Sequence, residues 1–289
     1  MNVLIGCLLF KDFTGSEMYV FELAKNLVNL GVSVTVASPY IGGPLTDLAI
    51  KENINVVKFD ELRNVNTKFS VIHAQHTPIV EALIKLYPDT NKICTIHSEV
   101  ISLENPVIHK SIKKYIAIRP EIKLHLIKNF NISEDSIEII YNPVDETKFC
   151  KKEVRDHNSI LFVGTIDYLR KNTIYDLVDY SKSIGRELWL VGNNSDTYLD
   201  DLLKNKHVKY AKAEQKIERY TQRCNETAGI LLGRTTIEGW LCNKSGWIYD
   251  VDNKGNILSK TLHNPPDDLE KFYASNVAKQ IKNVYENIS

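Results

Sequence analysis

The chain has 289 residues, with 36 lysines and arginines balanced by 36 aspartates and glutamates, and 43% of it is hydrophobic. That length fits one large α/β domain or two ordinary ones with real cores, and zero net charge excludes a global field that would recruit nucleic acid or an acidic membrane surface. Cys7, Cys94, Cys150, Cys224 and Cys242 are scattered, with no CxxC or Cys/His metal spacing, so they read as free thiols of a reducing compartment, the cytoplasm.

The apolar opening MNVLIGCLLF lacks a basic lead and runs straight into Lys11 and Asp12, which predicts a first core strand rather than a signal peptide. Short β-branched runs at residues 3–8, 32–37, 56–59, 70–74 and 93–97 alternate with helical periodicity at 17–30 and 78–86. The rhythm continues with a strand at 115–118, a helix opened by Pro120 and a strand at 137–141, and Asn142-Pro143 then breaks it. Residues 145–158 are charged and aperiodic, as a linker would be. The pattern restarts with strands at 160–163, 187–191, 208–210, 228–232 and 247–251, and with helices at 173–184, 215–225, 235–241 and 267–287. Two doubly wound α/β domains hinged near residue 150 are the simplest architecture, with ligands expected at the carboxyl ends of the strands. No stretch approaches the roughly 18 apolar residues of a membrane span.

Candidate chemistry gathers at those strand ends. The loop 11–17 leads into a helix through Gly15 and could offer backbone amides to an anion, or Glu17 could simply be a first-turn acid. His97 closes one strand, and His73 and His76 lie at the comparable end of the strand before it. Together they read as a polar wall, while a zinc site would need a carboxylate or thiolate whose place the sequence does not give. Arg170 and Lys171 open the helix after the strand at 160–163, where cations suit a phosphate. Thr235-Thr236-Ile237-Glu238 matches a capping box, with the threonine and glutamate serving each other's amides. Gly233-Arg234, directly before it, adds a close backbone approach and a cation where the helix dipole already favours an anion. Asp250 and Asp252 lead into the turn 253–255 and are not read as metal ligands.

The segment GSEMYVFELAKNLVNLGVSVTVASP resembles the amino-terminal part of family 4 glycosyltransferases. ICTIHSE, YIAIRPEIKLHLIKNFNISEDSIEIIYNPVDETKF, ILFVGTIDYLRKN and GRTTIEGWLCNKSGW are similar to later segments of that family, in its order. The resemblance implies the GT-B fold, two Rossmann-like domains facing across a cleft: residues 1–148 for the acceptor and 149–289 for a nucleotide-sugar donor, with the last helix able to fold back on the first domain. It implies transfer of a sugar with retention at the anomeric carbon. By the same resemblance Gly15 brings its amide to the donor diphosphate or the acceptor, and His97 contacts the transferred sugar. Arg170 or Lys171 neutralises the leaving diphosphate, Gly233, Arg234, Thr235 and Thr236 face the phosphates, and Glu238 binds the donor ribose. A helix end and three cations at the leaving group make a metal dispensable, so no cofactor is expected.

Three positions depart from the family pattern: Thr165 stands where an arginine is usual, Ile230 where a second glutamate is usual, and Pro143 where a glycine is usual. Those departures keep a nucleotide-sugar epimerase and a non-catalytic nucleotide-sugar binding protein open as alternatives. A nicotinamide oxidoreductase is disfavoured by the absence of GxGxxG. The acceptor, whether saccharide, lipid-linked glycan, protein or other, is not named by the sequence.

Overall fold

The computed structural model describes residues 1–153, 157–195 and 198–289, apart from the side chains of 198–200. The chain divides into two compact units, one of Met1–Pro143 with Lys271–Ser289 and one of Val144–Glu270. Of the linker expected over 145–158, residues 154–156 lie outside the described residues. Its start is a turn held by Asp145, whose Oδ1 accepts from the Thr147 N–H at 3.0 Å and from the Thr147 hydroxyl at 2.6 Å.

The first unit runs β1 (Asn2–Gly6), β2 (Leu9–Phe10), α1 (Gly15–Asn29), β3 (Ser33–Ser38), β4 (Tyr40–Ile41), α2 (Pro44–Lys51), β5 (Asn55–Lys58), β6 (Val71–Gln75), α3 (Thr77–Leu86), β7 (Lys92–Ile96), β8 (Ile112–Ala117), α4 (Pro120–Phe130) and β9 (Ile137–Ile139). Among the described residues its main sheet has the order β5-β3-β1-β6-β7-β8-β9, and every pairing in it is parallel. Parallel strands carry helices on both faces, so all five residues of β6 and of β7 are buried and read as continuous runs rather than alternations. The strand order reverses between β1 and β6, which puts the loops after these strands at the switch point where doubly wound sheets bind ligands. α1 packs with Tyr19, Val20, Leu23 and Leu27 inward, a helical spacing.

The second unit runs β10 (Ser159–Val163), α5 (Lys171–Ser183), β11 (Glu187–Val191), α6 (Tyr198–Leu203), β12 (Val208–Ala211), α7 (Glu218–Thr221), β13 (Glu226–Ile230), α8 (Arg234–Leu241), β14 (Ser245–Val251) and β15 (Ile257–His263). Its sheet has the order β12-β11-β10-β13-β14-β15, parallel except for the last pair, and reverses between β10 and β13. Gly192 is required by packing: a Cβ there would stand 1.9 Å from the Gly164 carbonyl oxygen.

The final helix, α9 (Ala274–Ile288), belongs to the first unit and lies against α1, with Val277, Ala278, Ile281 and Tyr285 buried at helical spacing. It starts seven residues later than its periodicity suggests. Pro265 and Pro266 are followed by a 3-10 turn at Glu270–Phe272, and Tyr273 takes the cap position. Among the described elements, β2, β4, α2, α6 and β15 escaped the sequence reading. α2 is short and is set off by Gly42 and Gly43, both at positive φ. β15 is an edge strand exposed on both faces, so it lacks the apolar alternation of a half-buried strand.

Candidate active site

In the first unit, His97 stands just past β7 rather than inside it, and its backbone N–H, its carbonyl and its ring Nε2 are each held. Its N–H donates to Glu104 Oε2 at 3.1 Å, its carbonyl accepts from Arg119 at 3.3 Å, and its Nε2 lies 2.5 Å from Gln75 Oε1. The Tyr19 ring meets it edge-on at 4.8 Å. Burial drives the His97 pKa well below the ordinary histidine value, and His76, His73 and Arg119 push the same way.

His76 adopts φ +67°, an uncommon left-handed conformation for a residue with a side chain, at the cap of α3. The Leu8 N–H donates to its Nδ1 at 3.4 Å, which leaves the proton of the neutral ring on Nε2, 3.4 Å from Glu104 Oε1. Burial lowers His76 to about 4 and raises Glu104 to about 7, the latter opposed by the His97 amide. Glu104 is carried on a 3-10 turn that α3 grips through the Thr77 hydroxyl, which bonds the carbonyls of Leu103 and Asn105.

The expected wall of three histidines is corrected. His73 lies two residues inside β6 and points into the core, with Nδ1 2.6 Å from the Tyr285 hydroxyl of α9 and Nε2 2.6 Å from Thr95 Oγ1. Its partners are core groups, and burial alone lowers its pKa to about 3. Glu17 is more than a first-turn acid. Its Oε2 accepts from the amides of Lys11 and Asp12, at 3.0 and 2.6 Å, and so folds the preceding loop onto α1. Gly15 begins α1 in open space, since a Cβ there would meet nothing within 4 Å. Neither crowding nor a left-handed backbone requires glycine at this position.

In the second unit, α8 begins at Arg234, with Gly233 as an extended N-cap that supplies no side-chain hydrogen bond. The predicted capping box is therefore not formed, because the helix starts earlier than that motif requires. The Thr235 hydroxyl instead donates to the Val163 carbonyl at 3.0 Å, tying the helix to the end of β10. Thr236 is fully buried, its Oγ1 has no partner, and its methyl packs where Gly246 has no side chain. Its hydroxyl faces the sheet rather than a phosphate, which corrects that expectation for the side chain. Glu238 Oε1 accepts from the Arg234 guanidinium at 3.0 Å, with only 7% and 10% of the two side chains exposed. Burial raises the Glu238 pKa, and Arg234 opposes the shift. Leu231, in the turn before α8, sits at φ +58°, and its N–H bonds the Tyr249 carbonyl at 2.8 Å. A leucine in this conformation is strained, and such strain gathers at ligand-handling turns.

Arg170 and Lys171 lie where α5 begins, beyond β10. The Arg170 guanidinium pairs with Asp167, whose Oδ1 also accepts the Arg170 N–H at 3.1 Å, so this cation is already opposed. Lys171 Nζ stands 6.0 Å from the Tyr175 ring. Asp250 bonds the Ser259 hydroxyl, and Asp252 gathers the amides of Lys254 and Asn256 at 2.8 and 2.9 Å, so both carboxylates organise the β14–β15 hairpin. Among the described residues no three His, Cys, Asp or Glu side chains group so as to hold a metal.

Sequence reasoning did not find Gln75, Glu104, Arg119 or Tyr19. Gln75 carried a signal, a polar residue closing a strand that is otherwise apolar apart from His73. Glu104 gave none, since an acid in a polar loop looks solvated until the turn is folded.

Residues 13–148, which contain Gly15, Gln75, His97 and Glu104, match the Glycosyltransferase Family 4 profile. Just under half of the chain is thus similar to that family, and the whole chain has the GT-B fold. The fold is shared along nearly the whole length of solved relatives. HepE of Anabaena, crystallised with UDP, superposes with a TM-score of 0.73 at 14% identity, covering 99% of this chain and 100% of that one. The same protein in complex with UDP-glucose gives 0.72 at 15%, covering 100% and 98%. Sucrose-phosphate synthase from Thermosynechococcus elongatus gives 0.68 at 13%, covering 99% and 98%. A search of curated protein sequences gives no match. Among the described residues no helix is long and apolar enough to cross a membrane.

Proposed function

We propose that this glycosyltransferase draws on a nucleotide sugar and transfers its glycosyl group to an acceptor hydroxyl with retention at the anomeric carbon. The observation that carries the reading is the start of α8. Its N-cap, Gly233, supplies no side-chain hydrogen bond to the first turn, at the switch point of a doubly wound sheet and beside a strained turn. HepE, which shares the fold, was crystallised with UDP and with UDP-glucose, and this supports a uridine nucleotide as the first ligand to test.

In the reaction the bond from the anomeric carbon to the diphosphate breaks through an oxocarbenium-like state, and negative charge grows on the diphosphate. The α8 end stabilises that charge with oriented amides, and Lys171 adds a cation. Retention places the acceptor oxygen on the face the diphosphate leaves, where a phosphate oxygen can take the acceptor's proton. His97 meets the transferred sugar, Gly15 lets a ligand approach the α1 backbone, and Glu238 receives the ribose hydroxyls. The amides and Lys171 together supply the positive potential that a divalent ion provides elsewhere, and transfer proceeds without one. The five free cysteines support work in the reducing cytoplasm.

Thermal denaturation against a panel of nucleotide sugars tests the donor class. A ligand at about 100 times its Kd stabilises by roughly 2.7 kcal/mol. A panel in which no nucleotide or nucleotide sugar shifts the transition contradicts the proposal. Proton NMR of the first-formed product, before mutarotation, reads the anomeric outcome.

A further inference from the structure

Gln75 closes β6 and is 2% exposed, so both ends of its carboxamide have to be satisfied inside the protein. Its Nε2 donates to the Ser16 carbonyl in the first turn of α1, at 3.3 Å. That bond decides which end faces His97, because turning the amide over would set Oε1 against the Ser16 oxygen. Oε1 can only accept. His97 Nε2, 2.5 Å away, therefore carries the proton of this contact. A second proton on the ring is opposed by burial and by His76, His73 and Arg119. A neutral imidazole has a single N–H, so Nδ1 is an unprotonated acceptor, and it has no hydrogen-bond partner among the described residues.

We infer that Gln75 is the positioning residue that fixes His97 as its Nε2–H tautomer and so presents Nδ1 as a hydrogen-bond acceptor to a hydroxyl group of the transferred sugar. The assignment of that hydroxyl rests on the proposed role of His97, whereas the tautomer does not. His97 then acts neither as a proton donor nor as a cation. It selects donors that carry a hydroxyl where Nδ1 meets the sugar, since a donor lacking it leaves a buried acceptor unpaired. The same carboxamide ties this selection to the first turn of α1, so the histidine and the Gly15 segment are set by one side chain.

Long-range proton–nitrogen NMR of protein labelled at its eight histidines reads the tautomer without any ligand. The expected wild-type spectrum shows His97 neutral, with protonated Nε2 and bare Nδ1, from about pH 5.5 to about 8. Gln75→Leu should release the ring into a mixture of tautomers. Gln75→Glu keeps an acceptor opposite Nε2, so it should restore the single tautomer while moving His97 protonation upward. A wild-type ring protonated at Nδ1, or a Gln75→Leu ring still in a single Nε2–H form, overturns the assignment. If Gln75→Leu does not fold, the upward shift in Gln75→Glu carries the test, and its absence is equally contrary.

With a nucleotide sugar that stabilises the protein, Gln75→Leu should lower kcat by about tenfold or more with little change in the donor KM. Unchanged kcat alongside a scrambled tautomer overturns the positioning role. Failure of every nucleotide sugar to bind removes the proposed donor but leaves the tautomer result standing.

Discussion

Arg234 and Glu238 form an ion pair one helical turn apart, at 3.0 Å, inside the first half of α8. Both side chains are about nine-tenths buried, so removing one partner takes a buried pairing from the other. Glu238→Gln should destabilise the protein by about 1–3 kcal/mol in thermal unfolding. A capping box would have tolerated this change, because glutamine serves that position as well as glutamate. If Glu238 also receives the ribose, calorimetry at matched stability should show a loss of about ten- to a hundredfold in nucleotide affinity.

Thr235→Val removes the hydroxyl bonded to the Val163 carbonyl while keeping the volume of the side chain. The expected loss is about 1 kcal/mol of stability, read from denaturant midpoints. Thr236→Val should be neutral or stabilising, because that hydroxyl is buried without a partner. The two adjacent substitutions thus move in different directions, whereas two ligand-facing threonines would both lower affinity without separating in stability.

Gly192→Ala puts a methyl group 1.9 Å from the Gly164 carbonyl oxygen, and backbone has to move to relieve it. A loss of about 2–4 kcal/mol is expected in thermal unfolding. Gly15→Ala, which meets nothing within 4 Å, should leave stability nearly unchanged or slightly raised and weaken only the ligand.

Glu104 gives a pH signature. Its folded pKa is raised from 4.5 to about 7, so between these values the native state holds a proton that the unfolded chain has lost, and stability falls as pH rises. His76 runs the other way, lowered from 6.5 to about 4, and its contribution rises with pH across that window. Glu104→Gln removes the falling component only. The stability of Glu104→Gln relative to wild type should therefore improve by up to ~3 kcal/mol between about pH 4.5 and 7 and stay level above. A pH-independent difference between the two proteins contradicts the assignment.

His97→Ala should lower turnover at least a hundredfold while changing nucleotide affinity less than about threefold, because the ring is assigned to the sugar and not to the nucleotide. Unaltered turnover in the folded variant returns His97 to a structural role.

The alternation of buried strands and amphipathic helices was legible because parallel strands covered on both faces leave apolar-rich runs, broken only by His73 and Gln75 at 71–75 and by Lys92 and Thr95 at 92–96. Thr235 and Glu238 show where local pattern misleads. Four residues match a capping motif, but the bond from Thr235 to Val163 and the ion pair from Arg234 are fixed by where β10 and the helix start lie, and neither follows from spacing. His73 reads like His76 in sequence, and only the partner hydroxyl on α9, more than two hundred residues later, makes it a core group. Glu104 becomes interpretable once a 3-10 turn brings it beneath His97.

The start of α8 as the nucleotide site is tested most directly by titrating UDP into nitrogen-labelled protein and following backbone amides. The account predicts that the amides of Gly233, Arg234, Thr235 and Thr236 move together and saturate with the calorimetric Kd. Saturable UDP binding that leaves these four amides unmoved while others shift would contradict it.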